Sequence, residues 1–307
     1  MVQHGIMFHG FHGGPHVPDG SGTVSAEDLE RVIVRVGRNC ILSPEDWIRK
    51  SSKGCLPAES VCLTFDDGLK SQIDIALPVL QAYDLQAFWF VNSAPLEGKI
   101  QKLDVFRRFR FRCFSSVDEY YSLFFQSMSL DFNSKFNSSN FHEFSQKYQK
   151  LFPFYTTNDI KYRYIRDSIL QRNDYESLVL KIISDRGESM ESLSADLWLN
   201  ESDIKSLVSL NHEIGLHSFD HPTNLESLTY EEQYEQYHRN YEGLRKIAGR
   251  ISSAAHPCGS YSIQTLEILR QLGVTLAFNS TMSKKVTSSE YWINQLQLGR
   301  EDIASIK

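Results

Sequence analysis

Three short stretches hold residue types that can do chemistry together. "LTFDDG" ends in Asp66, Asp67 and Gly68, "HEIGLHSFDHP" carries His217 and His221, and "HPCGSY" runs from His256 through Pro257, Cys258 and Gly259 to Tyr261. Each stretch contains or follows an apolar run of strand length, and in α/β folds functional groups gather at the carboxyl ends of parallel strands. Asp67, His217 and His221 make a two-histidine, one-carboxylate set. Imidazoles four residues apart can converge on one ion if the turn after the strand is helical, and such a set leaves positions open for water and substrate. The neighbouring Asp66 is then free to act as a base. Singly these signals are weak. Asp-Asp-Gly is ordinary turn chemistry, and "HEIGLH" is not the zincin HExxH, because its histidines lie five apart in a segment that reads as strand. Their force comes from all three clusters falling at strand ends.

The elements that must position them follow a βα rhythm. "HGIMFHGF" reads as a strand over Gly5–Phe11, with a glycine-rich loop continuing to Gly22. Ser25 suits the cap of a helix beginning at Ala26, and Ser43 followed by Pro44 starts another with acids in its first turn. "SVCLTF" is a buried-strand run, "SQIDIALPVLQAYD" has helical apolar spacing, and "LQAFWFVN" is a strand, which together favour a parallel sheet. After the interruption described next, "SDIKSLVSL", "TYEEQYEQYHRNYEGLRKIAG" and "SIQTLEILRQLG" read as helices. They alternate with the strands "HEIGLHS", "ISSAAHP" and "VTLAFNS".

The rhythm breaks after Gly98. From Lys99 to Arg186 there is no glycine and a single proline, Pro153, and more than half of the chain's Phe and Tyr lie there. Segments such as "SSVDEYYSLFFQSM" and "NDIKYRYIRDSIL" open on capping residues and have helical periodicity. The expectation is a helical insertion over 99–196 with an aromatic core of its own, acting as a cap or an interface for a homo-oligomer. It interrupts a domain formed by 1–98 and 197–307. Within it, "FRRFRFRCF" interleaves Arg107, Arg108, Arg110 and Arg112 with aromatics. That pattern reads either as a solvated arginine face or as a grip on an anion.

Composition narrows the function classes. The 307 residues carry a formal charge of -6, which does not suggest nucleic-acid binding. The five cysteines are odd in number and form no CxxC, which favours a reducing compartment. No charged-then-apolar leader is visible at the start, and no apolar run reaches the roughly 18 residues of a membrane span. A cytoplasmic protein with no membrane span is expected.

Together, "LTFDDG", "HEIGLHSFDHP" and "HPCGSY" resemble the first three motifs of the polysaccharide deacetylase family, the NodB-homology carbohydrate esterases. The resemblance covers roughly 1–95 and 196–303. It implies an α/β fold, a distorted (β/α) barrel of the NodB-homology type, here with a large helical insertion. It implies one divalent metal ion, Zn²⁺ in first place with Co²⁺, Ni²⁺ or Mn²⁺ as alternatives, held by Asp67, His217 and His221. By the same resemblance Asp66 is the catalytic base, and Pro257, Cys258, Gly259 and Tyr261 lie on the substrate and oxyanion side, with the Cys258 N–H holding the oxyanion. The reaction implied is metal-dependent hydrolysis of an N-acyl group, usually acetyl, from an amino sugar, in surface-polysaccharide or O-antigen assembly. A nucleotide- or lipid-linked sugar is the form of substrate expected. Two departures stand out. The arginine that often opens the third motif is replaced by Ala255, and Arg300 in "LGREDI" is the substitute orienting residue. No histidine follows His256, so the general acid is sought at His12, with His9 and His256 as alternatives. The rival readings are a non-catalytic sugar-binding relative that keeps the metal site, and a deacylase for another acyl group such as formyl.

Overall fold

The computed structural model describes residues 3–13, 23–128, 133–151, 155–303 and 306. The chain divides into two compact units, one of residues 1–101 and 196–307 and the other of residues 102–195. The glycine-rich loop over 14–22 lies outside the described residues.

The first unit is a parallel β/α structure. Its strands are β1 (His4–Phe8), β2 (Val61–Phe65), β3 (Phe88–Val91), β4 (Glu213–Leu216), β5 (Ser253–Ala255), β6 (Leu276–Phe278) and β7 (Arg300–Asp302). Their order is β6-β5-β4-β3-β2-β1-β7, and all the pairings are parallel. The segment entering β7 reaches back to the opposite edge. Leu298 bridges Phe278, its N–H donates to Ala277 O, and Asn279 N–H donates to its carbonyl, each at 2.8 Å. The sheet therefore curls into a nearly closed barrel, the distorted (β/α) barrel of the NodB type.

Alternation along the strands sorts the side chains. Ile6, Phe8, Leu63, Phe65, Trp89 and Val91 join the core against the helices, while Cys62, Phe88, Phe90 and Phe278 belong to a separate inner cluster. Gly215 makes room inside. A Cβ there would sit 2.6 Å from two ring carbons of Phe90 and from Ser253 Oγ.

The helices begin where capping chemistry puts them. Ser25 and Asp28 form a capping box before Ala26–Val36, and Ser43 caps Pro44–Ser51 with Pro44 in the first turn. The segment after β2 starts as a π-turn, Gln72–Ala76, before the α-helix Leu77–Ala82. Pro78 has no N–H to donate, and Leu77 N–H reaches Gln72 O five residues back. β1 is shorter than the sequence suggests. It ends at Phe8, and Phe11 bridges Val24 instead.

The second unit is helical: Lys102–Arg112, Val117–Gln126, Asn133–Phe136, Ser139–Leu151, Thr157–Tyr164 with a π-turn Ile165–Ile169, Arg172–Asp185 and Met190–Ser194. Phe109, Tyr120, Tyr121, Phe124, Tyr162 and Tyr175 are buried and meet one another mostly edge to face. Such contacts add to the burial of apolar area itself.

Candidate active site

The end of β2 delivers two carboxylates in different directions. Asp66 N–H still pairs with Phe8 O at 3.0 Å. Asp67 then turns to φ 75, a left-handed conformation that asparagine and aspartate tolerate better than most residues. Both acids are buried.

Asp67 faces the histidines that follow β4. Its Oδ1 lies 3.4 Å from His217 Nε2 and 3.4 Å from His221 Nε2, and the three donors all lie within 4.8 Å of one another. The imidazoles meet edge to face at 5.0 Å. The turn that brings His221 back takes left-handed backbone at Ser218 and at His221 itself, and Ser218 Oγ accepts the His221 N–H at 3.2 Å. His217 Nδ1 donates to Ala255 O at 2.9 Å, which leaves Nε2 as the ring nitrogen that faces Asp67. Two imidazole nitrogens and one carboxylate oxygen, with a carbonyl orienting one ring, are a donor set that fits a divalent ion of the Zn²⁺ type.

Asp66 points into the barrel. Arg300 meets it with a two-pronged ion pair, Nη1 to Oδ1 at 2.6 Å and Nη2 to Oδ2 at 2.7 Å. Arg300 is itself fixed. Nε donates to Asn279 O at 2.6 Å, and Nη1 donates to Thr64 Oγ1 at 3.2 Å. Gly5 leaves the space it crosses, since a Cβ there would lie 3.0 Å from Arg300 Cγ. Burial pushes the Asp66 carboxyl up, but Arg300, His217 and His9 outweigh it and hold Asp66 below the usual carboxylate range. The group is ionised at neutral pH. Burial pushes His217 down, and Asp66 and Asp67 more than reverse that, so its pKa is raised.

The third cluster forms a tight turn, Pro257–Gly259, with Cys258 at φ 51. Gly259 N–H donates to His256 O and Ser260 N–H to Pro257 O, both at 2.9 Å. His256 is fully buried, contacts Leu296 O through Nε2 at 2.8 Å, and is pushed down to about 3 by burial, which keeps it neutral. Tyr261 stacks on its ring at 4.3 Å. The Tyr261 hydroxyl is held internally, donating to Gln297 Oε1 and accepting the Lys285 N–H, both at 2.9 Å. His12 lies beyond β1, half-buried, with its backbone N–H on Val24 O at 3.0 Å.

Several positioning residues escape a reading of the sequence. Asn240 Oδ1 accepts the His217 N–H at 2.9 Å while its Nδ2 donates to Val91 O at 2.9 Å, tying β3 to the histidine turn. Asn92 Nδ2 donates to the carbonyls of His217 and Ser218. Gln72 Nε2 donates to Asp66 O at 2.6 Å and to His9 O at 2.9 Å. A signal existed for Asn240. It shares the buried face of the Tyr230–Ala248 helix with Gln233, Tyr237 and Leu244, and a polar residue on such a face needs a partner.

A search among curated proteins gives no match. Among solved structures, the Streptococcus pyogenes deacetylase PplD, in complex with acetate, superimposes with a TM-score of 0.56 at 16% identity, over 97% of this chain and 90% of that one. A de-N-acetylase from Aggregatibacter actinomycetemcomitans gives 0.54 at 13% identity, over 97% and 93%. IcaB from Ammonifex degensii gives 0.52 at 16%, over 97% and 90%. At these identities the likeness is one of fold. The family is carried by sequence: residues 53–108 and 150–277, more than half of the chain, match the model described as polysaccharide deacetylase. With "LTFDDG" and the histidine turn both inside the matched residues, the chain belongs to the polysaccharide deacetylase family.

Proposed function

We propose that this chain is a metal-dependent carbohydrate N-deacylase that hydrolyses an N-acetyl group from an amino sugar. The observation supporting it most is the division of labour at the end of β2. Asp67 faces His217 and His221, each at 3.4 Å, while its neighbour Asp66 is held apart in a fork with Arg300. A site that only bound metal would not need the second carboxylate.

Asp67, His217 and His221 would hold the ion. A divalent ion there, Zn²⁺ before Co²⁺, Ni²⁺ or Mn²⁺, supplies Lewis acidity to the amide carbonyl and makes water a stronger acid. Asp66, ionised and oriented by Arg300, takes the proton of the attacking water. The Cys258 N–H, in the Pro257–Gly259 turn, donates to the developing oxyanion. His12 is the proposed donor of the proton that the departing amine needs. The products are acetate and a free amino sugar, so one water is consumed and one C–N bond is broken.

The substrate is proposed to be an amino sugar in surface-polysaccharide or O-antigen assembly, nucleotide- or lipid-linked and met in the cytoplasm. Five cysteines, an odd number with no CxxC among them, support a reducing compartment. Among the described residues, no helix is long and apolar enough to cross a membrane. The insertion is proposed as a cap or as the interface of a homo-oligomer.

The test is release of acetate or formate from a panel of N-acylated amino sugars, free, oligomeric and nucleotide-linked, with and without chelator. Acetate release that chelator abolishes is expected. Formate release alone would reassign the acyl group. Metal uptake with no release from any substrate would leave a non-catalytic sugar-binding protein.

A further inference from the structure

The short turn between His217 and His221 fixes where the second imidazole lies. Ser218 and His221 take φ of 62 and 55, a region that residues other than glycine rarely adopt. Such backbone persists where its surroundings over-determine it. The Tyr230–Ala248 helix supplies that restraint from one face, because Gln236, Arg239 and Asn240 stand three and four positions apart. Asn240 takes the His217 N–H at 2.9 Å. Gln236 Oε1 accepts the Phe219 N–H at 3.2 Å and the Asp220 N–H at 3.1 Å. The Arg239 guanidinium lies 3.7 Å from the centre of the buried Phe219 ring and is itself anchored by Glu97 at 2.7 Å. The Phe219 carbonyl accepts the Ala94 N–H at 3.0 Å.

These restraints differ in what their loss does. The Asn240 bond is buried, so removing it strands a buried N–H and costs stability. The Gln236 bonds lie at the edge of the fold. Gln236 is half-buried, its bond to Phe219 is part-buried and its bond to Asp220 is exposed. Without Gln236 both N–H groups can turn to water, which satisfies them but fixes no geometry. The fold then loses little. The turn loses the one oxygen that gathers residues 219 and 220, immediately before His221. The bond from the His221 N–H to Ser218 Oγ lies within the turn and moves with it.

We propose that Gln236 is a positioning residue of the metal site. By holding the Phe219 and Asp220 N–H groups on one oxygen, it sets where His221 Nε2 stands relative to Asp67 Oδ1, 3.4 Å away, and to His217. The inference rests on the reading of Asp67, His217 and His221 as metal ligands. A ligand set held in place beforehand has less ordering cost to meet when an ion binds. Metal affinity, rather than stability of the fold, is therefore the quantity that Gln236 controls.

The test titrates the metal-free full chain with Co²⁺, read by its visible absorption, and with Zn²⁺ in competition with a chromophoric chelator. Gln236→Met keeps length and helix propensity but replaces the amide oxygen with a weak acceptor. It should weaken affinity for both ions by about tenfold or more, the scale typical of groups that orient metal ligands. The Tm of the metal-free protein should stay within about 3 °C of wild type. Gln236→Glu keeps acceptor oxygens at the same reach and should restore the affinity. A merely structural role would lower the metal-free Tm and leave the affinity of the folded protein unmoved. Wild-type affinity in Gln236→Met, equal weakening in Gln236→Glu, or weakening that only follows a falling metal-free Tm would each overturn the proposal while the ligand assignment stands. A wild type that takes up neither ion would overturn the ligand assignment, and the proposal with it. If Gln236→Met does not fold, Gln236→Ala is read by the same criteria, and failure of both to fold would make Gln236 structural.

Discussion

Removing the Arg300 guanidinium tests how Asp66 is held. The pair is 1% and 2% exposed, and both prongs are short, at 2.6 and 2.7 Å. With charge centres about 4 Å apart and an effective dielectric of about 20, the attraction is about 4 kcal/mol. Breaking a buried pair by deleting one partner typically costs about 3–5 kcal/mol, because the other charge stays behind unpaired. Arg300→Met should therefore lower unfolding stability by about that much. The test is a double-mutant cycle with Asp66→Asn, read by urea unfolding. The double variant leaves no orphan charge and should lose about 2–4 kcal/mol less than the sum of the singles. Additivity within about 0.5 kcal/mol would refute the reasoning, since it would mean that the two groups do not sense each other. The pH dependence has a definite sign. The Asp66 pKa is depressed in the folded state, so the stability it contributes is present above its unfolded value of about 3.9 and is lost as pH falls through the folded value. The gap between wild type and Arg300→Met should close below about pH 4. In activity, only His217 and His9 oppose the effect of burial on Asp66 once Arg300 is gone, and the acid limb of kcat/KM should move to higher pH.

Asp66→Asn should keep metal content and lose about 10²–10⁴-fold in turnover, measured by acetate release; near wild-type turnover would remove Asp66 from the mechanism. His217→Ala should reduce bound metal from about one ion per chain toward zero by elemental analysis, and full occupancy in that variant would reassign the ligands. His212 Nδ1 accepts the Ala87 N–H at 3.1 Å and burial pushes the ring down to about 4, so its contribution is present above about pH 6.5 and lost as pH falls toward the folded value. Across that window His212→Asn, which keeps an acceptor, should flatten the loss of stability by about 1.4 kcal/mol per pH unit relative to wild type, with parallel curves as the contrary result. Gly215→Ala should lower stability by about 1–3 kcal/mol through overpacking against Phe90 and Ser253, and a neutral urea midpoint would show that the ring yields.

Strands β1 to β6 are legible because their runs are apolar and bounded by turn chemistry, whereas β7, a run of Arg300, Glu301 and Asp302, carries no such signal; the helix starts are legible because Ser25 and Ser43 cap them. The strand-end clusters were legible as places where polar residues interrupt such runs. Spacing does not reveal contacts across the barrel. Nothing in "LGREDI" says that Arg300 reaches Asp66, 234 positions away; the resemblance supplied that idea, and the structure supplies the distance. Asn92 and Gln72 were missed because their partners are backbone carbonyls of other elements. In sequence Arg110 is indistinguishable from its neighbours, whether the run is a solvated face or an anion grip. The helical turn puts it on the buried side with Phe106 and Phe109, while Arg108 goes to the Leu193 and Ala195 carbonyls.

The site's dependence on closure follows from where its parts lie in the chain. Asp66 and Asp67 precede residues 102–195, and His217, His221 and Arg300 follow them, so no local segment contains a working set. Arg300 belongs to β7, which pairs with β1 while Leu298, just before it, bridges β6. The residue that orients Asp66 thus arrives with the strand that closes the barrel. Deleting that last strand should remove more than an edge. It exposes the β1 flank, strips the counter-ion from a carboxylate buried inside, and leaves Thr64 without the Arg300 donor. In the chain, a long helical segment interrupts the barrel's sequence after the 3-10 turn Ala94–Glu97 that follows β3, and β3 still pairs with β4 over Phe88–Val91 and Glu213–Leu216. Insertions of this kind carry a modest entropic cost, because loop closure grows only logarithmically with length. What the barrel requires of that unit is that its ends return to adjacent strands.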